Sequence, residues 1–193
     1  MAQVELSDAQ LIARVVVHDD RHAFSELVRR HQSAVRAMLR RLAAGNHALA
    51  DDLAQETFLL AYRNLRNFRQ EAKFSTWLYR IATNAFFAHA RKRTEEPRRD
   101  DANAVPDDEA SNGEAHGEAD HARAASLRID MERALGVLSD AERAAIVQCY
   151  HNDLSHEEAA YVLGCPVGTV KTHILRAKQK LKTRLGAWAP ERT

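Results

Sequence analysis

The chain has 193 residues, enough for one medium domain or two small ones. Its 28 Lys and Arg nearly cancel its 27 Asp and Glu, but the charges sit in opposed blocks: residues 95–123 are acidic and residues 166–185 basic. Two cysteines, Cys149 and Cys165, exclude a disulfide framework, and no CxxC pair suggests a metal. No secretory signal pattern and no apolar run of membrane-spanning length is present, so the expectation is a reduced, cytoplasmic protein without membrane insertion.

In chain order, Ser7-Asp8-Ala9-Gln10 has the form of a capping box opening a short helix through Leu11, Ile12, Val15 and Val16. His18-Asp19-Asp20 breaks it. A longer helix follows, with Phe24, Leu27, Val28, His31, Val35, Met38, Leu39 and Leu42 at helical spacing, ended by Gly45-Asn46. Its Arg29, Arg30, Arg36, Arg40 and Arg41 read most simply as a solvated face, with DNA phosphates as the alternative contact. From Asp51 a third helix places Leu53, Leu60, Ala61 and Leu65 on one side and Asp51, Asp52, Gln55, Glu56 and Arg63 in water.

A polar loop carrying Arg69, Gln70, Glu71 and Lys73 then runs between Phe68 and Phe74. Ser75 or Thr76 is placed to cap the next helix, whose expected buried stripe is Trp77, Leu78, Ile81, Ala85 and Ala88. The opposite side gathers Arg80, Thr83, Asn84, Phe87 and Arg91 and leads into the cluster Arg91-Lys92-Arg93. Cations that track phosphates beside a flat ring and an amide are the combination that holds single-stranded nucleic acid, each stacked base contributing roughly 1–3 kcal/mol. The alternative is an ordinary solvated face with an isolated Phe.

Residues 94–126 change character: Pro-, Gly- and Ala-containing, acidic, almost without large apolar side chains. Such a segment cannot bury enough surface to offset its ordering entropy and is expected to be a flexible linker. It is either a plain tether or a carboxylate-rich mimic of nucleic acid. Beyond it, Leu127, Met131, Ala134, Leu135 and Leu138 share a face. Two more capping boxes, Ser139-Asp140-Ala141-Glu142 and Ser155-His156-Glu157-Glu158, open two helices. After the Gly164-Cys165-Pro166 turn, a last helix buries Val167, Val170, Ile174, Ala177, Leu181 and Leu185. Short helix, glycine turn and longer helix spell a helix-turn-helix, and its exposed Gly168, Thr169, Lys171, Thr172, Leu175, Arg176 and Gln179 suit a DNA groove. The fold expected is all-α: two small helical domains, 1–93 and 127–193, joined by the acidic linker.

DDLAQETFLLAYRNLRNF followed by FSTWLYRIATNAFFAHARKR resembles region 2 of bacterial RNA polymerase sigma factors, most nearly the extracytoplasmic-function (ECF) group. CPVGTVKTHILRAKQKL resembles region 4, although Lys171 stands where Arg is frequent and Thr172 where Ser is common. The resemblance implies a promoter-specificity subunit without catalytic, metal or cofactor residues, acting in stress-responsive transcription under an anti-sigma factor. It implies that Asp51, Asp52, Gln55, Glu56, Leu59, Tyr62 and Arg63 dock on the β′ clamp helices of core polymerase, with region 4 meeting the β flap. It assigns Phe68, Arg69, Lys73, Phe74, Arg80, Asn84, Phe87 and Arg91 to the −10 element, and Asn84 with the Phe68–Phe74 loop to one flipped base. Pro166, Gly168, Thr169, Lys171, Thr172, Leu175 and Arg176 would read the −35 element. The linker would thread toward the RNA exit channel.

Other classes fit less well. A ligand-sensing regulator would bind duplex DNA without polymerase. A nucleic-acid enzyme would need an HExxH pair, a Walker loop or paired metal-binding carboxylates; His156-Glu157 lacks its partner because Ala160 holds the second histidine position. An adaptor would leave the pattern of the last helix unexplained.

Overall fold

The computed structural model describes residues 6–95 and 130–186. Its regular elements are helical: α1 (Asp8–His18), α2 (Arg21–Leu42), α3 (His47–Asn64), a 3-10 turn (Leu65–Asn67), α4 (Phe74–Glu95), α5 over 130–136, α6 (Asp140–Tyr150), α7 (His156–Leu163) and α8 (Val167–Gly186). Of the expected linker at 94–126, Thr94 and Glu95 extend α4, and the remainder lies outside the described residues, as does Leu127.

All three capping boxes form. In each, the serine hydroxyl accepts the backbone N–H three residues on, and the side chain of Gln10, Glu142 or Glu158 accepts the serine N–H, at 2.8–3.4 Å. Two helix starts differ from the sequence reading. α3 begins a turn before Asp51 because Asn46 Oδ1 accepts the Leu49 N–H at 3.0 Å, leaving Gly45 (φ +91) to make the break. α4 begins at Phe74, its first turn closed by Trp77 N–H on the Lys73 carbonyl at 3.1 Å, so Ser75 and Thr76 lie inside the helix and cap nothing. The cause is packing: Phe74 is drawn into an aromatic cluster with Phe68, Trp77 and His31, at ring distances of 5.2–5.7 Å.

Val35, Met38, Leu39 and Leu42 of α2 form the centre of the first bundle with Ala50, Leu53 and Ala61 of α3 and Leu78 and Ala82 of α4. The arginines of α2 are largely matched within the fold. Arg29 and Arg30 hold the Glu26 carboxyl down at about 2, and Arg36 and Arg40 lie 2.9 and 3.8 Å from Asp51. The stripe on α4 is wider than expected: Leu78 and Ala85 are buried and Trp77, Ile81 and Ala88 half-buried, but Ala82, Thr83 and Phe86 are buried too. α4 has a second partner, since α7 packs on its far side and α6 packs on α2.

In the C-terminal half, Gly164 ends α7 at φ +63, and the Pro166 carbonyl accepts the Thr169 N–H at 2.9 Å to start α8. Val170, Ile174 and Ala177 are buried and Val167 and Leu181 half-buried; the Leu185 side chain lies outside the described set. The two halves meet directly. Ala144 and Val147 of α6 join the core of the first bundle, and Gln148, fully buried at 0% exposure, donates its amide to Thr83 Oγ1 at 3.0 Å beside Met38 Sδ. Arg143 lies over the Phe86 ring, 5.9 Å from its centroid.

His151, at the end of α6, faces this seam. Burial first, then the Arg41 charge, push its imidazole below the usual 6.5, with Asp153 opposing. A base depressed in the packed state contributes full stability above 6.5 and loses it as pH falls through and below that value. The melting temperature should therefore drop more steeply between neutral and mildly acidic pH in the parent chain than in His151→Gln; parallel profiles would count against this role.

Candidate functional site

Three separate surfaces carry the residues singled out in the sequence. The first runs from the loop after the 3-10 turn onto α4. Gln70 adopts φ +57 in this loop, and Arg69 and Lys73 are exposed on either side. Phe68 is half-buried, and Phe74, at 6% exposure, lies beneath the loop as part of its aromatic floor, so the expected DNA contact at Phe74 is withdrawn from solvent. On α4, Asn84 and Arg91 stand outward and Phe87 is half-buried. Thr83, grouped with them by helical spacing, is instead sealed beneath Gln148. Arg80 is engaged: its guanidinium lies 4.4 Å from the centroid of the Tyr161 ring on α7.

The second surface is a groove of about 600 Å³ between α2 and α3. Phe24 and Val28 of α2 and Phe58, Leu59 and Tyr62 of α3 line it, with Arg21, Arg36 and Gln55 at its polar positions. Leu59 is 59% exposed, unusual for a leucine on a well-packed helix. Tyr62 is held in place: its hydroxyl donates to Asp19 Oδ1 at 2.7 Å, which raises its pKa, and its ring meets Phe24 edge-on at 4.9 Å. Asp52, Gln55, Glu56 and Arg63 are exposed, and Asp51 is turned toward Arg36. The α2 wall was missing from the sequence reading. Its available signal was the pair Phe24 and Val28, one turn apart at the edge of an over-wide apolar stripe.

The third surface is the outer side of α8. Pro166, Gly168, Lys171, Thr172, Leu175 and Arg176 are exposed and Thr169 is half-buried. Leu175 is 58% exposed, and nothing lies within 4 Å of where a Cβ on Gly168 would stand, so this end of the helix is open to close approach. Thr172 donates its hydroxyl to the Gly168 carbonyl at 2.9 Å, leaving its methyl and its acceptor lone pairs facing outward. Lys180 pairs with Glu142 of α6 at 2.7 Å. Burial works to raise the Glu142 carboxyl, but Lys180 and Ser139 outweigh it and the net shift is downward.

Among the described residues no cluster of His, Cys, Asp and Glu could hold a metal, and no helix is long and apolar enough to cross a membrane. Both cysteine thiols are pushed up by burial, the direction of an unreactive sulfur.

A helical bundle with an aromatic-floored loop, packed on a helix-turn-helix, defines a two-part DNA reader. The family descriptions that match are Sigma-70 region 2 over residues 27–96 and Sigma-70, region 4 over residues 128–181. The ECF RNA polymerase sigma-E factor of Haemophilus influenzae is 32% identical over 185 residues, covering 94% of this chain and 96% of that protein. The RNA polymerase sigma-H factor of Pseudomonas aeruginosa is 34% identical over 182 residues, covering 92% and 93%. Among solved structures, CnrH in complex with the cytosolic domain of CnrY superposes with a TM-score of 0.67 at 28% identity, covering 93% of this chain and 97% of that one. The sigma factor RpoE from Bartonella quintana, in complex with the anti-sigma factor NepR, gives 0.66 at 29%, covering 84% and 96%. The chain belongs to the ECF group of sigma-70 family sigma factors.

Proposed function

We propose that this sigma factor, working in the cytoplasm, binds core RNA polymerase through the α2–α3 groove, reads the −35 element with α8 and captures unpaired −10 bases with the 68–73 loop and α4. The observation that carries the reading is the joint outward placement of Gly168, Lys171, Thr172, Leu175 and Arg176 on one side of α8, while Arg69, Lys73, Asn84 and Arg91 stand outward on the first domain. Small residues at the start of α8 admit the groove edge, and Lys171 and Arg176 reach phosphates or guanine edges. Asn84 of α4 and the exposed loop residues take the flipped base, with Phe74 beneath the loop as support rather than contact. Holding unpaired bases better than paired ones shifts the duplex toward the open state, so melting needs no ATP and no chemistry from this chain.

The groove supplies the apolar seat for the β′ clamp helices, with Asp52, Gln55, Glu56 and Arg63 as its polar surroundings. Region 4 meets the β flap. An anti-sigma factor, the kind of partner RpoE has in its complex with NepR, would control this chain by covering the α2–α3 groove.

The test is run-off transcription with purified core enzyme. Asn84→Ala should slow open-complex formation about tenfold or more while core binding stays within about twofold, since one stacked or paired base is worth roughly 1–3 kcal/mol. Arg176→Ala should erase much of the preference for an intact over a mutated −35 element, a loss on the order of 5- to 100-fold. Unchanged melting in the first or unchanged preference in the second would remove that residue's role.

A further inference from the structure

Where the turn after α2, the last turns of α4 and the start of α6 meet, they enclose a small polar cavity of about 40 Å³. Asn46, His89, Arg93, Asp140 and Arg143 form its polar lining. None of the five is among the residues assigned to core polymerase or to a promoter element. Asn46, His89 and Arg93 are exposed and so stand at its mouth, while Arg143 is enclosed.

Arg143 is the unusual member. Its side chain is only 10% exposed, and its Nε–H is buried with no acceptor. Asp140 serves another part of the guanidinium, Nη2 donating to Oδ1 at 2.6 Å. A buried donor left without a partner is costly, so this one calls for an acceptor in the cavity. Arg93 brings a second guanidinium, one that makes no ion pair among the described residues. Burial lowers the pKa of Arg143, Asp140 opposes that, and the like charge of Arg93 lowers it further, but both guanidiniums stay charged. Two positive charges thus share one carboxylate.

Such a lining answers an oxyanion. Asn46 has its side-chain oxygen engaged by the Leu49 N–H at 3.0 Å, so what it has left is its amide donor. A void needs ~10–15 Å³ to take one water, so this one admits a group of a few heavy atoms and excludes a nucleoside or a helix. Phosphate meets the lining better than a carboxylate does. Arg143 Nε takes one oxygen, and a tetrahedral dianion keeps others for Arg93 and Asn46, whereas a carboxylate has two oxygens and a single charge. A phosphodiester carries an ester on each side and is too wide to enter, which separates this site from contacts with a nucleic-acid backbone.

We propose that this cavity is a phosphate site: it takes inorganic phosphate, or the terminal phosphate of a small phosphorylated solute, on Arg143 at its floor and on Arg93, His89 and Asn46 at its mouth. Asp140 is the competing group. Its carboxylate holds part of the Arg143 guanidinium that the anion would otherwise use, so removing its charge strengthens the site.

Inorganic phosphate titrated into the full-length chain tests this, read by calorimetry and by the rise in melting temperature, against chloride at matched ionic strength. The parent should bind a single phosphate. Arg93→Ala, at an exposed position, should weaken binding about threefold or more and Arg143→Gln about tenfold or more, since hydrogen bonds between charged groups are the stronger kind. Asp140→Asn should tighten it about threefold or more. Arg66→Ala, at an exposed arginine of the 3-10 turn outside the cavity, carries the same change in net charge as Arg93→Ala and should leave affinity unchanged. Circular dichroism checks folding; if Arg143→Gln unfolds, Arg93→Ala and Asp140→Asn decide. No effect beyond that of chloride would mean that the cavity takes water only and would overturn the site. Equal weakening in Arg66→Ala, or unchanged affinity in both Arg93→Ala and Asp140→Asn, would overturn it too. Methyl phosphate binding as inorganic phosphate does would support the site and identify the head of a larger solute as the source; binding of inorganic phosphate alone would support it with the free ion as the source. Acetate or dimethyl phosphate binding as tightly as phosphate would overturn the choice of ligand.

Discussion

Leu59→Asp is expected to weaken association with core polymerase about a hundredfold or more while leaving the fold intact. Leu59 is 59% exposed and lies in the groove with Phe24, Val28 and Phe58, so its side chain contributes little to the isolated chain and is available to a partner. Burying a leucine is worth roughly 1.5–3 kcal/mol, and a carboxylate in the same apolar seat adds an uncompensated desolvation cost of several more. The melting temperature of the free protein should change by no more than a few degrees. Pull-down or anisotropy against labelled core enzyme decides it: near-normal affinity would mean that the groove is not the docking seat.

A second leucine gives the opposite outcome. Leu39 on α2 is fully buried at the centre of the first bundle, at 0% exposure. Leu39→Ala removes its transfer energy and leaves a void that neighbouring helices fill only in part, a loss on the order of 2–5 kcal/mol. For a domain of this size that lowers the melting temperature by about 10 °C or more and takes a large share of a typical total stability of ~5–15 kcal/mol. At low temperature, where the chain stays folded, core affinity should be retained. A small thermal shift would mean that α2 is less tightly enclosed than its burial indicates.

These two leucines show what the sequence made legible. Helical spacing placed Leu39 inside correctly, because one continuous apolar stripe on α2 has one destination. All three capping boxes were readable because each is a local bargain between residues three apart. The resemblance to sigma regions 2 and 4 pointed to two surfaces for DNA, and most side chains of the second stand in the open. What spacing could not supply was the consequence of the halves packing together. Thr83 and Phe86 are buried because α6 and α7 lie against α4 and α2, and Gln148, a polar residue on a helix, gives no warning that it will be enclosed. Phe74 was placed on the DNA side for a related reason: an aromatic residue bordering a loop looks alike in one dimension whether it faces solvent or lies beneath. Charge told a similarly partial story on α2, where the arginine row reads as one basic face until Glu26 and Asp51 are seen to neutralise much of it.

The pairing of Lys180 with Glu142 bears on how accurately the last helix can be pointed. Lys180 is one of several points that hold α8, with Val170, Ile174 and Ala177 buried along its inner side, and from Lys180 back to Gly168 is about 18 Å at 1.5 Å per residue. A tilt of roughly 10° about that hold would swing the far tip by ~3 Å, the length of a hydrogen bond. Loosening the hold would therefore blur the spelling that α8 distinguishes before it weakened the grip on phosphates, which tolerate a shifted cation. On the proposed reading of α8, Glu142 would help to set fidelity at the DNA without touching it.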